Sequence, residues 1–258
     1  VTEISASDKL ESLRKEQEMF MGLSFESISG YNEHGAIVHY SSTPETDVEL
    51  KAEGIYLIDS GGQYLDGTTD ITRTLALGSP TEEQKDRFTR ILQGHIDLTL
   101  ASFPRGTQGI QIDTLARLPL WQIGLNYMHG TGHGVGAFLN VHEGPQGISY
   151  YKGIGVPLEL GMVCSNEPGF YKDGEYGMRI ETMINVIKDE EKSMNDFEFY
   201  TFETFTVCPI EQKLINRDML TKVQLNYINE YHQRVHDTLA PYLEGVELSW
   251  LKKATTAL

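Results

Sequence analysis

Cysteine is nearly absent. Cys164 and Cys208 are the only two in 258 residues, which excludes a disulfide framework and makes a reducing compartment the default. Basic residues are also few: 21 Lys and Arg stand against 37 Asp and Glu, for a net charge of -16 and a pI near 4.9. No run of Lys and Arg forms the basic footprint that a nucleic-acid binder needs, and an anionic membrane surface is disfavoured for the same reason. No apolar stretch is long enough to span a bilayer. The first twenty residues, VTEISASDKLESLRKEQEMF, are polar and lack the apolar centre of a signal sequence. There is no low-complexity linker and no short repeat. A start at Val1 rather than Met is what a processed product or an excised domain shows.

What remains is an ordinary globular composition, 40% hydrophobic and 22% charged, with enough length to bury a large core. The acidic balance suits a carboxylate-rich metal site. Ser5–Asp8 can cap a helix running to about Met21. The apolar run Ala36–Tyr40 reads as a strand, as do Glu53–Ile58 and Asp70–Ala76. Ser79, with Pro80 and two acids behind it, starts a helix that runs to about Phe103. Ile112, Leu115, Leu118 and Trp121, spaced by threes, place another helix over 110–125, which Pro119 can bend. Strands return at 162–166, 177–187 and 198–208, and helices at 218–239 and 245–251. Each half carries helices and a hairpin-like strand pair with two acids. The pattern predicts one α+β domain built from two similar halves.

Three histidines fall within the fourteen residues from His129 to His142, in His129-Gly130-Thr131-Gly132-His133-Gly134-Val135-Gly136 and Val141-His142-Glu143-Gly144-Pro145. Glycine lets backbone pass close to other groups, so such a stretch can set imidazoles at a crowded polar centre. Elsewhere stand two acid pairs. Asp59 ends one strand and Asp70 begins the next. A turn centred on Tyr64-Leu65 sets them directly opposite each other, and one centred on Gly67 pairs Asp59 with a later residue. Asp at strand ends is also a common turn former. Glu167 and Glu181 are symmetric about the turn signal Asp173-Gly174, so they can face across a hairpin. Glu181 sits in an otherwise apolar strand, where an acid needs compensation. Carboxylates this close repel unless a proton or a cation lies between them. Four carboxylates and one imidazole suit Mn²⁺ or a similar hard ion rather than a structural zinc. Two bridged ions would activate water and polarise a carbonyl, which implies hydrolysis of an acyl bond. Other groupings carry less: the glycine pattern lacks the context of a dinucleotide fingerprint, Ser60 lacks a nucleophile elbow, and Cys164 reads as a small buried residue. His34, His95, His232 and His236 read as surface or capping residues.

The order Asp59, Asp70, His133, Glu167, Glu181 resembles the five-ligand dinuclear centre of the pita-bread metallopeptidases, most closely the eukaryotic cytosolic aminopeptidase P (Xaa-Pro aminopeptidase) branch. The resemblance covers the whole chain and is strongest in YLIDSGGQYLDGTTDITRT, HGTGHGVGAFLNVHEGP and NEPGFYKDGEYGMRIE. It implies the pita-bread fold, two pseudo-symmetric halves whose curved, mostly antiparallel sheet is covered by helices. It implies two divalent ions, most often Mn²⁺. Asp59 would bind one ion with both oxygens, Asp70 and Glu181 would bridge, and His133 and Glu167 would complete the other shell. A bridging hydroxide would attack the carbonyl before proline, with Glu167 assisting proton transfer. His39, His129 and His142 match the substrate-side histidines, and Arg179 would stand behind the ligands. A cytoplasmic homodimer acting on proline-containing peptides follows from the same likeness. Residues 1–258 read as one catalytic domain with 209–258 as its C-terminal extension; the branch carries two N-terminal domains that this chain does not contain.

A proline nitrogen has no N–H, so a dedicated site must accept the pyrrolidine ring; Phe138, Tyr171 and Tyr176 are candidates for its wall. Two rivals share the fold: prolidase, which takes Xaa-Pro dipeptides, and a catalytically dead module that binds peptides or proteins. Methionine aminopeptidase fits less well, because the surroundings of both acid pairs differ. The segment after Pro209, with Trp250 and several tyrosines, is positioned to dock on the core or on a partner.

Overall fold

The computed structural model describes residues 1–151, 155–194 and 197–258. Its first half runs α1 (Glu3–Lys15), β1 (Phe20–Leu23), β2 (Ile28–Tyr31), β3 (Ile55–Ser60), β4 (Gly62–Tyr64), β5 (Gly67–Thr68), β6 (Ile71–Ala76) and α2 (Glu82–Thr99). The second half begins with β7 (Phe103–Pro104), α3 (Gly109–Trp121), β8 (Gly132–His133) and β9 (Gly147–Ile148). It continues with β10 (Val163–Asn166), β11 (Gly169–Lys172), β12 (Tyr176–Arg179), β13 (Thr182–Lys188) and β14 (Phe199–Thr204), and closes with α4 (Lys222–Leu239) and α5 (Gly245–Ala254). The sheets are antiparallel, with strand orders β2-β3-β6 in one half and β10-β13-β14-β7 in the other. Between them the Thr72 carbonyl accepts from the Glu181 amide at 3.2 Å, and the Thr74 hydroxyl both donates to the Arg179 carbonyl and accepts from its amide. The two acid pairs meet at this seam.

Helices α2 and α3 pack against each other behind the sheets. Gly94 makes this possible, because a Cβ there would stand 2.0 Å from the Ala116 carbonyl oxygen. The larger core joins Phe88, Ile91, Leu92 and Ile96 of α2 to Ile228, Tyr231 and Val235 of α4 and to Leu251 of α5. The C-terminal segment thus docks on the core. A second cluster lies under the four-stranded sheet and includes Cys164, fully buried, whose thiol burial pushes up to about 12.

Several expectations change. Helix α1 starts at Glu3, not after Ser5: Thr2 and Ser5 cap each other reciprocally, and the helix ends at Lys15 because Phe20–Leu23 leaves to pair with β4. Thr81, not Ser79, caps α2, through a reciprocal pairing with Gln84. In α3 the buried stripe is Ile112, Ala116 and Leu120, while Leu118 and Trp121 are 47% and 40% exposed. Each step of three residues falls about 60° short of a turn, so Trp121 lies about 180° round from Ile112. The strand expected at 177–187 breaks into β12 and β13 at Ile180-Glu181.

The run Ala36–Tyr40 is not a strand. Ile28–Tyr31 takes the sheet position beside β3, a 3₁₀ turn covers Asn32–Ala36, and among the described residues no strand pairs with the segment after it. His95 and His232 are not surface residues: both are fully buried. His95 Nε2 meets the Thr182 hydroxyl at 2.8 Å, and His232 Nε2 accepts from the Ile210 amide. Burial lowers them to about 3 and about 4 respectively.

Candidate active site

Asp59 lies near the end of β3, and its cross-strand partner on β6 is Thr72, not Asp70. The register is therefore two residues away from direct opposition. Because strand side chains alternate with period two, Asp70 still faces the same side, as Asp59's diagonal neighbour. Glu167 and Glu181 follow the expected symmetry. Both ladders around them, β10 with β13 and β11 with β12, share one register, and the two glutamates occupy the interruption between them. There the Glu167 amide turns to donate to the Thr131 carbonyl at 2.7 Å. That bond ties the acid pair to the His/Gly stretch. Gly132 permits the approach, since a Cβ on it would be 1.9 Å from the Ser165 carbonyl oxygen.

All eight residues singled out from the sequence, Asp59, Asp70, His133, Glu167, Glu181, His39, His129 and His142, line one cavity of about 600 Å³. Asp59, Asp70 and Glu181 are buried; the Glu167 side chain keeps 18% exposure and His133 11%. His39 and His142 sit at the open edge, exposed, with the His142 ring 4.2 Å edge-on from that of His133. Asp70, His133 and Glu181 each offer one ligand atom, all within 4.8 Å of one another. Asp59 and Glu167 border this group. Arg179 Nη2 donates to Asp59 Oδ2 at 2.7 Å, and His133 Nε2 lies 3.4 Å from both Asp70 Oδ2 and Glu167 Oε1.

The donor set tests whether a cation fits. His133 Nδ1 is 3.0 Å from the Gly134 carbonyl. A carbonyl only accepts, so Nδ1 carries a proton, and Nε2 is the ring atom turned towards two carboxylate oxygens. A ring nitrogen converging with carboxylate oxygens is a donor set that a divalent ion can use. Asp59 Oδ1 and Asp70 Oδ1 are buried with no hydrogen-bond partner among the described residues, which is costly unless something binds there. Burial, and after it the charges of Asp59 and Glu167, push the Asp70 carboxyl well above the usual carboxylate range. Glu181 rises in the same way, through burial and then through Asp70, Asp59 and Glu167. Glu167 also rises, chiefly through burial. A hard divalent ion, or two, would take over these charges.

Behind the acids stands a second row. The buried Thr72 hydroxyl donates to Glu181 Oε2 at 2.6 Å and accepts from Arg179 Nε at 3.0 Å. Arg179 also donates to the Tyr171 hydroxyl at 2.6 Å, leaving that hydroxyl proton for His129 Nε2 at 2.9 Å. His129 Nδ1 donates to the Gly130 carbonyl at 2.8 Å. Burial, and next the charge of Arg179, drop this imidazole to about 3, so it is neutral near pH 7. Ser165 accepts from the His133 amide and donates to Glu167 Oε1.

Of the three wall candidates, Tyr171 contacts His129 and Arg179, Tyr176 instead donates to Glu83, and Phe138 is 41% exposed. The apolar wall is made by Phe25, Ile28, Val38 and Tyr40, which the sequence reading did not single out. Thr72 was missed as well. Its signal was position: it follows Asp70 by two residues and so shares its face.

Metallopeptidase family M24 matches residues 1–188, and the C-terminal region of peptidase M24 matches residues 198–258. Aminopeptidase P1 of Arabidopsis thaliana is 48% identical over 258 residues, covering 99% of this chain and 40% of the relative. The chain therefore spans about two fifths of the length of such relatives. The X-prolyl aminopeptidase of Caenorhabditis elegans, described as a cytosolic enzyme with a di-nuclear active site, superposes with a TM-score of 0.94 at 39% identity. That match covers 100% of this chain and 42% of the other. Prolidase from Pyrococcus furiosus is more distant, with a TM-score of 0.63 at 30% identity over 71% of this chain and 52% of its own. The fold is thus of the pita-bread type. With an M24 match over most of its length and a buried acid and imidazole cluster at the seam of two halves, this chain belongs to metallopeptidase family M24.

Proposed function

We propose that the chain is the catalytic unit of an Xaa-Pro aminopeptidase, which releases the first amino acid from peptides with proline second. Asp59, Asp70, His133, Glu167 and Glu181 would hold two divalent ions, Mn²⁺ first among the choices. When bound, the ions supply a water acidic enough to attack near neutral pH and polarise the scissile carbonyl. The observation that carries the reading is the convergence of His133 Nε2 with the Asp70 and Glu167 oxygens at 3.4 Å, beside the buried Glu181. Relatives at 47–48% identity named Xaa-Pro aminopeptidase support the substrate class, and the di-nuclear C. elegans enzyme supports two ions. The prolidases match less closely in both structure and sequence.

The chain's own residues divide the work. Glu167, at the cavity edge of the acid cluster, takes up and returns the proton of the attacking water. His39 and His142, on the open side, orient the peptide and face the oxygen on which charge develops. His129 is a neutral wall of the same subsite, with both ring nitrogens engaged by Gly130 and Tyr171. The apolar wall of Phe25, Ile28, Val38 and Tyr40 borders the acids, imidazoles beside it, and can seat a ring without asking for an N–H. The same reading treats 1–258 as one unit with 209–258 as its extension, and carries a cytoplasmic homodimer. Among the described residues no helix is long and apolar enough to cross a membrane.

The test is hydrolysis of an Xaa-Pro-Yaa tripeptide and an Xaa-Pro dipeptide by metal-stripped protein, before and after Mn²⁺, with Asp70→Ala alongside. Tripeptide cleavage restored by Mn²⁺ and lost in Asp70→Ala is the expected result. Preference for the dipeptide would shift the assignment to prolidase. No uptake of metal would overturn the catalytic reading in favour of a binding module.

A further inference from the structure

Helix α3 carries a buried cation outside the acid cluster. Arg117 and Asp113 are one turn apart, and both side chains are fully buried, with Arg117 Nε 2.6 Å from Asp113 Oδ2. A buried ion pair is costly to keep dry unless its remaining donors are satisfied. Here all five are. Nε and one Nη2 proton go to Asp113. The Nη1 protons go to Asn126 Oδ1 at 3.2 Å and the Tyr127 carbonyl at 2.7 Å. The other Nη2 proton goes to the His129 carbonyl at 2.7 Å. The guanidinium is also stacked between rings, 3.9 Å from the Tyr127 centroid and 4.4 Å from that of Tyr150.

The carbonyls of Tyr127 and His129 are two residues apart and meet the same planar fork, so the short segment between α3 and β8 has its strand-like edge read by a side chain instead of by a neighbouring strand. Downstream, the Tyr127 hydroxyl pairs with the Thr131 hydroxyl at 2.6 Å, and the Thr131 carbonyl receives the Glu167 amide. His133, further on, has its own supports in Ser165 and β9. Among the described residues, the backbone of His129 has no other side-chain donor of this kind.

We propose that Arg117 is a positioning residue for His129: its guanidinium fixes the backbone on which that imidazole stands, and it acts on the reaction through that imidazole alone. The proposal rests on the reading of His129 as a substrate-side residue. Lysine keeps the charge opposite Asp113 but not the planar five-donor fork, so Arg117→Lys isolates the geometry. A displacement of reacting groups by about 1 Å can cost up to a hundred-fold in rate.

The experiment is a double-mutant cycle on the Mn²⁺-loaded chain with an Xaa-Pro-Yaa tripeptide. Arg117→Lys is expected to lower kcat by about ten-fold or more, with a smaller change in KM. In a His129→Ala background the same change is expected to cost less than about two-fold. Mn²⁺ affinity should be unchanged, because Ser165 holds both the His133 backbone and the Glu167 carboxylate independently of Arg117. An equal loss in both backgrounds, or a parallel fall in Mn²⁺ affinity, would overturn the proposal. If the parent chain hydrolyses nothing, the functional reading fails, and a readout independent of activity decides this one. In spectra of ¹⁵N-histidine-labelled protein, Arg117→Lys should move the His129 ring signals and leave those of His95 and His232 in place; an unmoved His129 overturns it. Should Arg117→Lys not fold, Asp113→Asn, which removes the charge that aims the fork but keeps its shape, is put through the same cycle with the same outcomes.

Discussion

Thr72 shows how much a single hydroxyl settles at this seam. It donates to Glu181 and accepts from Arg179, so one buried oxygen fixes an acid of the cluster and the cation behind it. Thr72→Val keeps the shape and removes both bonds. The expected result is a metal affinity lower by about ten-fold and a stability loss of about 1–3 kcal/mol, read by calorimetric titration with Mn²⁺ and by urea unfolding. An unchanged affinity would mean that Glu181 does not need this partner. The acids themselves make a pH prediction. A carboxyl whose pKa is raised on folding favours the folded state below the unfolded value, about 4, and that contribution is lost as pH rises through the raised value. Asp70 and Glu181 are raised in this way, so protons compete with a cation for the same carboxylate oxygens, and more strongly as pH falls. The gain in Tm on adding Mn²⁺ should therefore shrink as pH is lowered from 7 to 5. A gain that grows on acidification would contradict this origin. At this scale the residue types were legible: acids beside apolar strands and histidines among glycines are costly enough to stand out. Which oxygens lack partners was not, because that depends on atoms far away in the chain.

Elements were legible where period and caps agreed, and misread where pairing decided. The helices α2 and α4 fall within their predicted spans, α2 ending at Thr99 rather than near Phe103 and α4 starting at Lys222 rather than Asp218. The run Ala36–Tyr40 has strand composition, yet composition cannot say that β2 already occupies the edge of β3. Freed from the sheet, Val38, His39 and Tyr40 line the cavity instead. The contact of α2 with α3 offers a test in which two effects oppose each other. By helix propensity alone, Gly94→Ala should stabilise α2 by about 1 kcal/mol. By packing, the new Cβ meets the Ala116 carbonyl oxygen at 2.0 Å, and forcing helices apart costs about 1–3 kcal/mol or more. Packing should win, lowering Tm by several degrees in a thermal melt. A rise in Tm would mean that the helices separate freely at this point.

On the scale of the whole molecule, the segment after Pro209 is part of the core. Ile228, Tyr231, Val235 and Leu251 are buried with residues of α2. Arg73 on β6 reaches the carbonyls of Glu181, Cys208 and Pro209 and the Tyr231 hydroxyl, so the extension is bonded to the backbone of the acid cluster itself. Each such apolar side chain contributes about 1.5–3 kcal/mol, and four together are comparable to a domain's net stability of about 5–15 kcal/mol. A chain ending at residue 208 is expected to lack a cooperative melting transition by circular dichroism. A well-folded 1–208 fragment would show instead that the extension is an accessory.

By itself the sequence determined the α+β class, the antiparallel pairing around Asp173-Gly174, and the supply of carboxylates and imidazoles, because period, turn chemistry and the cost of burying charge act within a few residues. Only the tertiary structure decided the two-residue offset of Asp59 from Asp70, the apolar wall built from a would-be strand, and the roles of Thr72, Arg73 and Arg117. Each of these depends on groups brought together across the chain, and local spacing carries no information about which partner arrives first.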